Sequence, residues 1–170
     1  MGDVFKEQLV AMKMSSKDKA QQMIIWGVTI LIVIVAFLFF GPFLAAIVVL
    51  ALGWGAFFLT SKLKREHEYS LTNNELDIDV IYNKERRKKI MTLDLKKIDV
   101  MASIKDERHQ ESFARAQKTI NASDGELTKD TYGILLNHAG ALTKVLITPN
   151  EEMLTLMYKQ APHKIIRYRG

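Results

Sequence analysis

Lys84-Glu85-Arg86-Arg87-Lys88-Lys89 places five bases in six residues, the densest charge in the chain. A cluster of that kind can bind an anionic surface. Each Lys or Arg near an anionic leaflet contributes about 1 kcal/mol, and the attraction fades within a Debye length. The same cluster also reads as a solvated hairpin tip that guards a sheet edge. Other groupings are thinner. Glu75, Asp77 and Asp79 alternate along one strand face, where they could hold a hard cation or form the solvated side of a sheet. Glu66-His67-Glu68 looks like a ligand run, but strand alternation turns His67 away from both acids. His67, His109, His138 and His163 are scattered without metal-ligand spacing, and no phosphate-binding loop, nucleophile elbow or zinc-protease motif occurs. The chain has no cysteine, which excludes disulfides, thiolate metal sites and thiol nucleophiles. The residues read as non-enzymatic, with no catalytic residue, cofactor or metal.

The elements that must position the basic cluster begin with an apolar run. Gln21 to Ser61 is 41 residues without a charged side chain, broken near its middle by Gly41-Pro42. One helix needs about 20 residues to cross the hydrocarbon core, so the run is two crossings long. The expectation is a transmembrane helical hairpin over 17–64. Ser16 caps helix one, which occupies about 17–40. Pro42 opens helix two, which occupies about 42–62. The β-branched stretch Ile30 to Val35 suits a strand in water, but backbone satisfaction in lipid requires a helix. Trp26 and Trp54 fall in the halves nearer the charged flanks, and Trp54 also suits packing inside the hairpin. Ala51-x-x-x-Gly55 is a small-xxx-small pattern, a groove either for helix one or for a second membrane protein. No ionisable residue interrupts the run, which excludes an intramembrane proton relay.

The net charge of +5 is unevenly placed. Residues 1–20 and 62–65 hold seven bases against three acids, whereas 66–170 hold 17 against 16. The excess is therefore an orientation signal, and a nucleic-acid partner is not expected. Lys6, Lys13, Lys17 and Lys19 precede the run; Lys62, Lys64 and Arg65 follow it; the central turn has none. Both termini are expected in the cytoplasm, with the protein in the cell membrane. Residues 1–16 read as a separate segment: Val4, Phe5, Leu9 and Met12 share a helical face, giving an in-plane surface helix or a frayed terminus. The run is too long and starts too late for a cleaved signal peptide.

From residue 65 to 170 the pattern switches to period two. Tyr69 and Leu71 alternate, Asn73-Asn74 turns, and Leu76, Ile78, Val80 and Tyr82 share a face. Further strands are expected at about 87–94, 98–103, 117–122, 131–138 and 142–148, with a polar loop or short helix over 105–117. Thr148 reads as an N-cap before Pro149, opening a helix to about Gln160 with Met153, Leu156 and Met157 turned inward. The fold class is thus a membrane α-helical hairpin plus an α+β, mainly-β domain of about seven antiparallel strands and one C-terminal helix.

Tyr69-Ser70-Leu71-Thr72, Leu76-Asp77-Ile78, the basic turn and Leu93-Asp94-Leu95-Lys96-Lys97-Ile98 resemble the bacterial branch of the pleckstrin-homology-like superfamily. The whole chain is similar to an uncharacterised bacterial family of small membrane proteins with two transmembrane helices before such a domain. The resemblance implies a pleckstrin-homology-like barrel and no assigned activity. The expected function is a membrane-anchored interaction or scaffold module for a protein partner, or for a second copy of itself. The alternative is a sensor of anionic membrane lipid, with Lys84, Arg86, Arg87, Lys88 and Lys89 joined by Lys62, Lys64 and Arg65 at the surface. For that geometry, strand one runs away from the bilayer for about 25 Å and strand two returns the basic turn.

Overall fold

The computed structural model describes residues 4–61 and 63–167. The chain divides into two units, one formed by residues 1–13 with 66–170 and the other by 14–65.

In the first unit, two four-stranded sheets enclose one core. The strands of the first sheet are β1 (Phe5–Ala11), β2 (Arg65–Thr72), β3 (Glu75–Tyr82) and β4 (Arg86–Asp94), in that spatial order. The second holds β5 (Val100–Ser103), β6 (Lys118–Asn121), β7 (Tyr132–His138) and β8 (Ala141–Ile147), in the order β5-β7-β8-β6. Among the described residues there are eight strands rather than seven, and β6 runs parallel to β8, so the expected all-antiparallel barrel is two sheets that do not close. Tyr69, Leu71, Leu76, Ile78, Met91 and Leu93 from one sheet meet Ile134, Val145 and Ile147 from the other. Period-two alternation dictates this: the inward residues of β3 are buried while Asp77 and Asp79 between them are half-exposed.

Residues 5–11 are not an in-plane helix. They form β1, antiparallel to β2 with Ala11 opposite Glu66 and Phe5 opposite Thr72. Val4, Phe5 and Leu9 fit a helical face as well as they fit a strand, and β1 gains its ladder only from a partner more than fifty residues onward. The domain accordingly includes the N-terminal segment.

The 104–117 stretch carries α1 (Glu107–Ala114), capped by Asp106, whose side chain accepts from the Arg108 N–H at 3.2 Å. Its Phe113 packs with Ala102 and Leu135, which covers the outer face of the second sheet. That cover explains why β7 is buried on successive residues from Tyr132 to Leu136. The C-terminal helix, α2 (Glu151–Gln160), is capped by Asn150, not Thr148. Asn150 Oδ1 accepts from the Met153 N–H at 2.8 Å, while the Thr148 hydroxyl is engaged with Asp124 instead. Met153, Leu154 and Met157 are buried, and Leu156 is only partly so. Leu154, rather than Leu156, joins Met153 and Met157 on the buried face.

The second unit is α3 (Ser16–Ser61), two helical stretches that meet at a kink at Gly41 with no intervening loop. Gly41 alone leaves helical geometry, at φ 77° and ψ 176°, followed by Pro42. Positive φ costs glycine nothing, so a single residue suffices for the break. α3 is the only helix among the described residues long and apolar enough to cross a membrane. Its large side chains face outward: Met23, Leu38, Phe39, Phe43 and Leu50 are all exposed. Trp54 is exposed too, stacked on Phe58 with centroids 6.0 Å apart, and does not pack inward. The less exposed positions include Asp18, Gln22, Ile25, Thr29, Val33 and Ala36 before the break, and Ala45, Val48, Leu52, Gly53, Gly55, Ala56 and Thr60 after it. The first set, and Ala45, Val48, Leu52, Ala56 and Thr60 of the second, recur every three or four residues, the spacing of a helix-packing seam. Ala51 lies off that seam and is exposed, and a Cβ on Gly53 or Gly55 would meet nothing within 4 Å.

Candidate functional site

The β3–β4 hairpin turns at Asn83 and Lys84, both at positive φ (50° and 59°), and the Glu85 N–H donates to the Tyr82 carbonyl at 3.1 Å. Two left-handed residues match the twist of an antiparallel pair. The strand that follows then splits the basic cluster by alternation. Arg86 stands opposite Tyr82 and Lys88 opposite Val80, on the face that leads into the core. Arg87 and Lys89 point to the opposite face.

On that opposite face both bases are already engaged. The Arg87 guanidinium pairs with the Glu68 carboxylate of β2 and approaches Asp79 at 3.9 Å. Glu68 is buried, with its side chain 8% exposed. A buried carboxylate needs such a counter-charge, so Arg87 is a structural residue of the first sheet. Lys89 Nζ lies 2.7 Å from Asp77 Oδ1, which also accepts from the Thr92 hydroxyl. The Lys89 ammonium, and then Thr92, hold the Asp77 carboxyl below the usual carboxylate range, and Asp77 in turn raises Lys89. Asp77 and Asp79 thus serve as counter-ions, and no group of three His, Cys, Asp or Glu among the described residues could hold a metal ion.

Lys84, Arg86 and Lys88 are exposed and, among the described residues, have no carboxylate partner. Exposed Glu85 is the one acid inside the turn. Of the flanking bases, Arg65 pairs with Asp18 at 3.4 Å, Lys64 is exposed, and Lys62 lies outside the described residues. The five-base patch legible in the sequence is therefore two ion-paired bases beside three that have no carboxylate partner among the described residues. Strand alternation held that signal; the missing knowledge was which acids of other strands stand opposite.

Strand order places this turn at a definite end of the sheet. β2 begins and β3 ends there, and β1 ends there too, because Ala11 faces Glu66. Beyond β1, the Lys13 N–H donates to the Asp124 carbonyl at 2.7 Å, and Lys13 Nζ lies 2.6 Å from Glu126. Leu127 follows in that loop, 55% exposed, a feature the sequence reading did not single out.

Residues 2–167 match the family described as bacterial PH-like domain (DUF6106). The chain belongs to the bacterial PH-like domain family. The match runs through α3 as well as both sheets, so the helix is placed within a PH-like domain sequence, between its first two strands. PH-like domains are typically interaction modules rather than catalysts. No curated protein matches the chain, and no solved structure matches it.

Proposed function

We propose that this PH-like protein is a membrane-anchored, non-enzymatic interaction module. α3 doubles back at Gly41 and crosses the membrane twice, and the domain is displayed on the cytoplasmic side to a protein partner or membrane complex. The observation that carries this reading is the β1–β2 ladder. The strand before α3 and the strand after it are paired from Phe5–Thr72 to Ala11–Glu66, so both ends of α3 belong to one folded body. A segment that enters a bilayer between two paired strands must return to the side it left.

Within the helical unit, the Asp18–Arg65 ion pair and the three-or-four-residue seam on either side of Gly41 support the same doubling back. The outward apolar side chains need lipid or protein around them, because in water so large a patch would drive aggregation. The lysines flanking α3 support the cytoplasmic side. Alkaline carbonate extraction of membranes tests the anchor. The protein should stay in the pellet, and its release to the supernatant would contradict the reading.

A further inference from the structure

We infer that the free edge of β1 takes up an extended segment of a partner protein as an added strand, and that this segment carries a basic residue between two apolar ones. This rests on the interaction-module reading and gives that module a docking surface and a partner chemistry.

β1 is an edge strand of the first sheet, and the phase of its ladder decides which backbone groups are free. The Asn73 N–H donates to the Val4 carbonyl at 2.8 Å, and the Val4 N–H donates to Asn73 Oδ1 at 3.0 Å. Bonded positions alternate along an antiparallel pair. Lys6, Gln8 and Val10, opposite Leu71, Tyr69 and His67, are therefore the bonded positions. The N–H and C=O groups of Phe5, Glu7, Leu9 and Ala11 point away from β2, and among the described residues nothing else pairs with them. Such a row of groups is a template for another strand. The template is held firmly. On the inward side, Lys6 Nζ lies 2.6 Å from Glu152, and the Gln8 side chain bonds the Thr148 carbonyl at 3.0 Å and the Asn150 N–H at 2.9 Å. β1 has no proline, and its register with β2 is unbroken from Phe5 to Ala11. The outward side chains set the partner's chemistry. Phe5 is 64% exposed and Leu9 60%, with exposed Glu7 between them. Glu7 accepts from the Ser70 hydroxyl at 3.1 Å, and no base pairs with it among the described residues. Glu66, opposite Ala11 on the same face, adds a second negative charge, whereas Glu68 is neutralised by Arg87. A strand laid on this edge sets one side chain beside each of Phe5, Glu7 and Leu9. A base beside Glu7 and apolar side chains beside Phe5 and Leu9 match all three, which is the alternate-residue readout of strand addition.

The probe is a fluorescent peptide of alternating threonine and valine with a central lysine in place of the middle valine, titrated into full-length protein in detergent micelles and read by anisotropy. Two isomers of it are N-methylated, one on the amides of its lysine and valines and one on those of its threonines. Only alternate amides of an added strand face β1, so the two isomers should differ in affinity by at least about tenfold. Glu7→Lys should weaken the lysine peptide and favour a glutamate-centred one, each by at least about threefold, with the wild-type melting curve kept. Equal affinity of the two isomers, no binding of the unmethylated peptide, or a charge preference that Glu7→Lys does not reverse overturns the inference; the isomer arm needs no variant to fold. Self-association through β1 that excludes the peptide also overturns it and assigns the edge to a second copy. None of these outcomes moves the protein out of the carbonate-extracted pellet, so failure here is distinct from failure of the anchored-module reading.

Discussion

Asp18 in the first turn of α3 and Arg65 at the start of β2 lie 3.4 Å apart, although 47 residues separate them. A straight helix of that length would hold its ends about 69 Å apart. Their proximity, with one non-helical residue between, is what the proposed hairpin requires. A double-mutant cycle with Asp18→Ala and Arg65→Ala should give a coupling of about 0.5–1 kcal/mol for a partly exposed pair, read from thermal unfolding in detergent. Strict additivity would mean the two ends do not meet.

Gly133 is fixed by packing. A Cβ there would sit 3.0 Å from the Phe113 ring of α1. Gly133→Ala should cost about 1–3 kcal/mol by overpacking. Most of that cost should vanish in a Phe113→Ala background, where the double substitution melts close to Phe113→Ala alone. A full additional loss in that background would show that the ring is not what confines this position.

The C-terminal helix separates two adjacent faces. Met157 is fully buried and Leu156 only partly so. Met157→Asp should cost several kcal/mol by placing a carboxylate in the core, and Leu156→Asp much less. The ordering is checked by chemical denaturation of full-length protein. The isolated 66–170 segment is unsuitable, because it lacks β1.

Tyr69 predicts an alkaline limit. Its hydroxyl donates to the Ala122 carbonyl and accepts from the Thr148 N–H at 3.1 Å, and burial raises the phenol well above its ordinary value of 10.0. A raised folded pKa means that the stabilisation is complete below about 10 and is lost as pH rises beyond it, by up to about 1.4 kcal/mol per pH unit. Tyr69→Phe should flatten this decline and lower stability at neutral pH by about 1–3 kcal/mol, since a buried carbonyl and N–H lose their partner. Melting temperature against pH from 8 upward would show both effects.

Much of the fold was legible where structure is local. β3 and β4 follow alternation and a turn; β7 and β8 follow apolar runs bounded by Ala139-Gly140. What depends on distant partners was not legible. β1 reads as a strand only beside β2, and the strand expected at 117–122 shows its parallel pairing only beside β8. The cap of α2 passed from Thr148 to Asn150 because Thr148 is claimed by Asp124, a residue 24 positions away. In the candidate site, the charge density was local and plain, but Glu68 pairs with Arg87 from a different strand. The opening residue types could not show that two of five bases were already spent.

Membrane topology decides whether α3 crosses twice. Phe43→Cys, just past the break in α3, and separate reporters fused at the two chain ends are placed in the cysteine-free protein. Intact cells are then treated with a membrane-impermeant thiol reagent. Phe43→Cys should be labelled from outside, while both end reporters behave as cytoplasmic. Reporters on opposite sides, or a Phe43→Cys that reacts only after the membrane is opened, would contradict a helix that crosses twice.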